Sequence, residues 1–147
     1  MTADDPEMPR RLREPTRQAR GFERARAAHE REVAEDYVEL IADLIDVTGE
    51  ARSVDLAERL GVTSATVANT LGRLSREGLV IKERYRSIFL TEGGRALAER
   101  VRERHRVVRD FLVKIGVDPE TAETDAEGIE HHISERTLTA LRRFTES

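Results

Sequence analysis

Two carboxylates and an imidazole stand close together near the carboxyl end of the chain. In the segment Asp125–His132, Glu127, Glu130 and His131 are separated by three and then one residue. On a helix, this spacing places all three side chains on one face. Like charges at such spacing repel, and no Lys or Arg lies within a turn to relieve the repulsion. The pattern predicts that a metal cation binds here and that further ligands come from elsewhere.

The remaining ligands are expected from carboxylates or imidazoles on other helices. Asp36 and Glu39 are three residues apart beside an apolar stripe, and His105 stands among arginines further along the chain. Considered alone, the Asp36/Glu39 pair is equally compatible with a solvated helix face, and an isolated histidine is more often a packing or surface residue. His29 is expected to be solvated and His132 to be structural.

The six candidates together supply four carboxylates, two imidazoles and no sulfur. Hard oxygen donors with a minority of nitrogen favour Mn²⁺ or Fe²⁺ over metals that prefer thiolates, while zinc remains compatible with the set. Four carboxylates carry enough charge for two divalent ions, which allows a binuclear site. The candidate metal ligands are Asp36, Glu39, His105, Glu127, Glu130 and His131.

The helices that must position these residues follow from composition and apolar periodicity. Residues 1–20 hold three of the four prolines and five arginines, which predicts a disordered basic arm. Residues 22–47 lack Pro and Gly and predict one long first helix. Helices are also predicted over 92–115 and 135–144, with the acidic metal-binding segment between them.

A helix-turn-helix is predicted within residues 53–78. A short amphipathic helix ends at Gly61, which supplies the turn, and Thr63 can cap a second helix over about 63–77. Two strands within 79–91 then form a hairpin, so the segment is predicted to be a winged helix-turn-helix. The apolar face of the first short helix is predicted to be Val54, Ala57 and Leu60.

The second helix of such a motif enters the major groove of DNA. Small and polar side chains on its exposed face suit contacts with base edges, and basic side chains beside it suit phosphates. The predicted base contacts are Ser64, Ala65, Thr66, Asn69 and Thr70. The predicted phosphate contacts are Arg73, Arg76, Lys82, Arg84 and Arg86. A winged helix used only for protein interaction is the alternative, and the three basic residues of the wing favour DNA.

The formal net charge of −4 hides a division of charge along the chain. Residues 51–110 carry 13 Lys/Arg against 8 Asp/Glu, whereas residues 117–147 carry 3 against 8. The chain has no cysteine, which excludes disulfides, zinc ribbons and iron–sulfur clusters. It also has no apolar run of membrane-spanning length, so we expect a cytoplasmic protein that does not contact a membrane.

These features occur in the same order as in a known family. The chain resembles the iron- and manganese-dependent repressors related to the diphtheria toxin repressor, and especially their manganese-responsive members. The resemblance spans about residues 22–145. It rests on Glu35–Glu39, the helix-turn-helix at 53–78, the wing at Arg84–Arg86, Arg104–His105, Phe111–Leu112, Ile115–Val117 and Asp125–His132.

The resemblance implies a binuclear manganese site in which Glu127 and Glu130 contact both ions. The other ligands would divide into two pairs, Glu39 with His105 and Asp36 with His131. Iron-responsive relatives carry Met and Cys where this chain has Asp36 and Glu127, and replacing soft sulfur with hard carboxylate favours Mn²⁺. The ancillary metal site of those relatives is not expected, because Arg109 stands where they have a glutamate ligand.

The resemblance also implies a mainly α fold and a function. Residues 21–93 would form the DNA-binding domain, and residues 94–147 a helical domain for metal binding and dimerisation. The protein would be a transcriptional regulator rather than an enzyme: a homodimer loaded with two Mn²⁺ ions per subunit that binds a palindromic operator in double-stranded DNA. It would repress manganese uptake genes and act on no small-molecule substrate.

Two alternatives belong to other classes. One is a winged-helix regulator that senses Fe²⁺ or a small organic ligand. The other is a di-metal carboxylate enzyme, since such enzymes also combine carboxylates and histidines on helices. Those enzymes use Glu-x-x-His twice, however, and no histidine in this chain has a glutamate three residues before it.

Overall fold

Six helices and three short strands make up the part of the chain that the computed structural model describes, residues 11–83 and 87–147. The prediction of a mainly α fold is therefore confirmed. The elements are α1 (Pro15–Thr48), β1 (Ala51–Arg52), α2 (Ser53–Leu60), α3 (Ser64–Arg76), β2 (Val80–Lys82), β3 (Ser87–Leu90), α4 (Glu92–Lys114), α5 (Pro119–Ile129) and α6 (Glu135–Glu146).

The first helix begins seven residues earlier than predicted. The Glu14 side chain accepts hydrogen bonds from the amides of Thr16 and Arg17, and Pro15 occupies the first helical position, where its missing N–H costs nothing. The prediction of a disordered arm is therefore wrong for residues 15–20. Residues 1–10 of that arm lie outside the described residues.

The helix-turn-helix forms as predicted, with one change of face. Gly61 has a φ of 68°, which allows the turn, and the Thr63 side chain caps α3 by accepting from the Thr66 amide. On α2, Leu56 is fully buried, whereas Val54 is 64% exposed. The assignment of Val54 to the apolar face is therefore wrong: Leu56 is the buried residue of α2, and Ala57 and Leu60 pack partly buried against the larger core cluster.

The wing is part of a sheet with one more strand than predicted. The strand order is β1-β3-β2, and both pairings are antiparallel, with Ala51 opposite Ile88. The strand β1 has only two residues, which is too short to leave an alternating pattern in the sequence. Arg84 and Arg86, two of the predicted phosphate contacts, lie outside the described residues.

The apolar core consists of two clusters that share α4. The larger cluster joins α1, α2, α3 and the sheet to the first turns of α4, where Ala98 is buried. The smaller cluster packs Val107 and Val108 of α4 against Ala126 of α5 and Leu138 of α6. The portion of α4 between the clusters is therefore held firmly at both ends. None of the helices in the described ranges is long and apolar enough to cross a membrane.

A close packing contact at the start of α4 can be tested directly. Gly94 lies against the main chain of Leu79, and a Cβ at Gly94 would overlap the Leu79 carbonyl oxygen. We expect Gly94→Ala to lower the free energy of unfolding by about 1–3 kcal/mol, because the end of α4 must move away from Leu79. Urea unfolding monitored by circular dichroism measures this change.

Gly93→Ala is the matched control. The nearest atoms to a Cβ at Gly93 are 3.6 Å away, which is ordinary van der Waals contact. Because alanine also favours a helix over glycine, this variant should be as stable as the parent protein or slightly more stable. Equal destabilisation by the two substitutions would contradict the packing explanation.

Candidate metal centre

Three parts of the fold bring the six predicted metal ligands together. Asp36 and Glu39 lie on α1, and His105 lies on the portion of α4 between the two core clusters. Glu127 is in the last turns of α5, which ends at Ile129, so Glu130 and His131 stand in the turn that follows. The backbone of Glu130 keeps helical dihedral angles (φ −56°, ψ −28°), which preserves the expected spacing. The residues that lie close together are Asp36, Glu39, His105, Glu127, Glu130 and His131.

Potential ligand atoms form two groups, each with its atoms within 4.8 Å of one another. One group contains His105, Glu127 and Glu130, and the other contains Asp36, His131 and Glu32. Glu130 connects the two groups. Its Oε2 lies 2.7 Å from Nδ1 of His105, and its Oε1 lies 3.3 Å from Nε2 of His131. The arrangement matches two neighbouring cation positions that share one carboxylate.

Glu39 lies in the same cleft as two members of the first group. It lines this cleft together with His105 and Glu127. Burial raises the pKa of Glu39, and the neighbouring charge of Glu127 raises it further. A nearby cation would stabilise the charged form of this carboxylate, which is consistent with its predicted place beside His105.

The orientation of His131 is fixed by a carboxylate that the sequence reasoning missed. Buried Glu35 accepts a hydrogen bond of 2.8 Å from Nδ1 of His131 and one of 3.2 Å from Nη1 of Arg104. The other ring nitrogen, Nε2, lies 3.1 Å from Oδ1 of Asp36. A histidine that binds a metal commonly donates its second nitrogen to such a carboxylate, which sets the tautomer and the ring direction.

His105 has an equivalent arrangement. Its Nε2 is 2.6 Å from Oε1 of Glu123, and Glu123 lies 3.6 Å from Nη1 of Arg109. Its Nδ1 faces the Glu130 carboxylate and is 3.7 Å from Glu127. Each histidine thus points one nitrogen toward the shared carboxylates, and an outer Glu–Arg pair holds the other.

The missed residues left only weak signals in the sequence. Glu35 follows Ala34 on the buried side of α1, and a charged residue at a buried helical position is a reason to look for a buried partner. Glu32 lies one turn before Asp36, and its Oε2 is 3.0 Å from Nε2 of His132. Nothing in the sequence indicates the partner of Glu123, since its contact with His105 depends on how α5 packs on α4.

Buried oxygens without a hydrogen bond show that the residues fit a divalent cation. Oε2 of Glu39 and Oε1 of Glu130 have no hydrogen-bond partner among the described residues, although Oε1 of Glu130 lies 3.3 Å from Nε2 of His131. A buried carboxylate oxygen without a hydrogen bond is costly. Cations beside the two histidines would satisfy these oxygens, and the absence of sulfur suits a hard or borderline ion.

The pKa values of Glu130 and His131 also indicate that the carboxylates of the site lack compensating positive charge. Burial raises the pKa of Glu130 to about 7, although His105 and His131 oppose this shift. Burial alone would lower the pKa of His131, but hydrogen bonds with Asp36 and Glu35 outweigh burial and raise it to about 10. In the metal-free protein, protons therefore supply part of the charge that these carboxylates require.

The predicted DNA contacts form a separate surface on α3 and the wing. Arg73 is partly buried and donates from Nη2 to the main-chain carbonyl of Glu30 on α1, at 3.3 Å. Thr70 is half-buried, and the other described members of the predicted set are exposed. The exposed residues are Ser64, Ala65, Thr66, Asn69, Arg76 and Lys82.

Two family models match the chain, and together they cover most of it. The iron dependent repressor N-terminal DNA binding domain matches residues 31–88. The iron dependent repressor metal binding and dimerisation domain matches residues 91–147. The boundary between the two matches falls at the start of α4.

Curated proteins and solved structures agree with these matches. The transcriptional regulator MntR of Escherichia coli O157:H7 is 55% identical over 126 residues, which cover 86% of this chain and 81% of that protein. The regulator MntR of Listeria monocytogenes (strain HCC23) is 42% identical over 100 residues, which cover 68% of this chain and 70% of that protein.

A manganese-dependent transcriptional repressor in complex with manganese has a TM-score of 0.69 and 29% identity over 77% of this chain. The manganese regulator SloR has a TM-score of 0.67 and 26% identity over the same share. This chain spans about half the length of these two structures, 52% and 53%.

Removing the charge of Glu35 tests its orienting contact with His131. Glutamine keeps the shape and a hydrogen-bond acceptor but weakens the hold on the imidazole. We expect Glu35→Gln to weaken Mn²⁺ binding by about 10–100-fold, measured by competition with a fluorescent chelator. Glu30→Gln, an exposed change on the same helix, should leave the affinity unchanged. Equal Mn²⁺ affinities for Glu35→Gln and the parent protein would show that Glu35 does not orient His131 for metal binding.

Metal binding should also release protons. Because the pKa of His131 lies near 10 in the metal-free protein, this histidine carries a proton at pH 7 that a metal ion must displace. Metal affinity should therefore rise with pH between about 6 and 8. Calorimetry in buffers of different ionisation enthalpy counts the released protons. A count of zero at pH 7 would contradict the protonated state described above.

Proposed function

The chain belongs to the iron-dependent repressor family, within its MntR group, and we propose that it is a transcriptional repressor that binds operator DNA as a Mn²⁺-loaded homodimer. The observation that carries the proposal is the pair of ligand groups joined by Glu130. Only oxygen and nitrogen donors are present in these groups, which suits Mn²⁺ better than thiolate-preferring metals. Fe²⁺ also suits such donors, so the test below compares it with Mn²⁺.

The six predicted ligands would hold two ions per subunit. Glu39 and His105 would serve one ion, Asp36 and His131 would serve the other, and Glu127 would contribute to both. Glu130 would contribute to both ions, since its two oxygens face the two histidines separately. The bound ions would supply the positive charge that joins α1 to α4 and to the end of α5.

Helix α1 provides the connection from the metal centre to DNA. It carries Asp36 and Glu39, its apolar residues belong to the same core cluster as those of α3, and its Glu30 carbonyl accepts a hydrogen bond from Arg73 of α3. Fixing α1 against α4 and α5 therefore fixes the position of the recognition helix. By linkage, operator DNA would strengthen metal binding by the same factor by which metal strengthens DNA binding.

The remaining features follow from this function. Residues 21–93 would bind DNA through α3 and the wing, and residues 94–147 would bind metal and form the dimer. A two-fold dimer presents two recognition helices to a palindromic operator about one DNA turn apart. A regulator of this kind acts in the cytoplasm, and its targets would include manganese uptake genes.

Operator binding under controlled metal loading tests the proposal. The operator is first selected from random duplexes with Mn²⁺-loaded protein, and binding is then measured by fluorescence anisotropy at fixed salt. We expect Mn²⁺ to tighten binding by about 5–150-fold over protein in chelator. Anaerobic Fe²⁺ and Zn²⁺ are compared at the same concentration to establish which ion activates.

Variants of the centre identify the ligands. Asp36→Ala and Glu127→Ala should abolish the Mn²⁺ dependence of DNA binding, because each removes a ligand from a different group. Asp46→Ala removes an exposed carboxylate from the same helix as Asp36 and should retain full dependence. Unchanged Mn²⁺ dependence in Asp36→Ala would reject the proposed centre, and activation by a small organic molecule instead would support the alternative regulator.

A further inference from the structure

The amino-terminal part of α1 is an exposed and strongly basic helix. Residues 15–31 contain five arginines and two glutamates. All side chains in this segment are exposed except at Gly21 and Ala28, which are half-buried. The buried part of α1 begins only at Ala34. The segment is therefore not needed to complete the apolar core, and its surface is available for another molecule.

The arginines of this helix are arranged along one face, here called the arginine stripe. At about 100° per residue, its four members fall within an arc of about 60° and extend over about 21 Å. Glu23 and Glu30 lie about 90° or more from the centre of this arc, and Arg26 lies on the opposite side. The members of the arginine stripe are Arg17, Arg20, Arg24 and Arg31.

The arginine stripe begins beside the recognition helix. Arg73 on α3 contacts the main-chain carbonyl of Glu30, so α1 passes next to α3 at this point. From Glu30 back to Pro15, the helix continues for about 22 Å beyond that contact. The ion pairs found among the described residues do not involve the stripe arginines.

We propose that the arginine stripe binds DNA phosphates next to the base pairs contacted by α3. Like charges three and four residues apart repel along a helix, and a row of phosphates offsets that repulsion. The guanidinium group also matches phosphate geometry. This inference rests on the proposed DNA-binding function, and it extends the contact surface beyond the helix-turn-helix and wing. The acidic residues of a second copy are the other source of negative charge, and the test separates the two.

The salt dependence of operator binding is the diagnostic measurement. The triple variant Arg17→Gln/Arg20→Gln/Arg24→Gln is compared with the parent protein at saturating Mn²⁺. The slope of log K against log salt should become shallower by about 0.9 for each arginine that contacts a phosphate in each subunit. Binding to unrelated duplexes should weaken by a similar factor, because phosphate contacts carry no sequence information.

A pair of single variants provides the matched control. Arg20→Gln and Arg26→Gln make the same chemical change on the same exposed helix, but only Arg20 belongs to the stripe. We expect the slope to change in Arg20→Gln and not in Arg26→Gln. Circular dichroism and Mn²⁺ affinity should match the parent in all variants, since the metal ligands begin at Asp36, away from these positions.

Each outcome decides between the explanations. An unchanged slope in the triple variant, or equal slopes in Arg20→Gln and Arg26→Gln, would overturn the stripe proposal while Mn²⁺-dependent operator binding stands. If the triple variant sediments as a monomer and its salt slope is unchanged, the stripe contacts a second copy of the chain. That result would also overturn the proposal. Failure of the parent protein to bind DNA at all would reject the proposed function itself.

Discussion

The buried carboxylate of Glu130, held between His105 and His131, is the interaction on which the site depends. This residue is 1% exposed, and its oxygens face a histidine on α4 and another in the turn after α5. A charge buried this deeply is costly unless it is paired. Because His131 also contacts Glu35 and Asp36, the same network reaches α1. The polar centre thus joins α1, α4 and the turn after α5, in addition to the apolar packing among these helices.

The fold places this centre where a small change in charge can act on the DNA-binding elements. α4 is fixed in both core clusters, so His105 stands on a rigid support. α1 differs, because it carries the proposed ligands Asp36 and Glu39 and also shares the larger core cluster with α3. Metal charge at Asp36 and Glu39 would therefore act on a helix whose Glu30 carbonyl accepts a hydrogen bond from Arg73 of the recognition helix.

The sequence indicated the elements whose patterns are local. The α3 cap at Thr63, the turn at Gly61 and the helical spacing around Glu127 depend on near neighbours, and each has its predicted conformation. Features that depend on distant packing could not be predicted in the same way. The strand β1 exists because Ala51 pairs with Ile88, and Leu56 is buried because it packs in a core cluster drawn from several elements. The six converging side chains could be predicted because carboxylates and imidazoles are recognisable ligand types. Glu35 and Glu123 could not, because their contacts with His131 and His105 join residues 96 and 18 positions apart in the sequence.

Arg109 shows how the outer contacts constrain the centre. In the iron-responsive relatives, the resemblance places at this position a glutamate that contributes to an ancillary metal site. Here the guanidinium lies 3.6 Å from Glu123, whose other oxygen holds Nε2 of His105. That nitrogen is therefore engaged with a carboxylate, and a permanent positive charge occupies the space beside it. Both features disfavour an additional cation on this side of His105 and direct its Nδ1 toward Glu130. Arg109 would thus support the proposed shared site through Glu123 rather than contribute a ligand to a further cation.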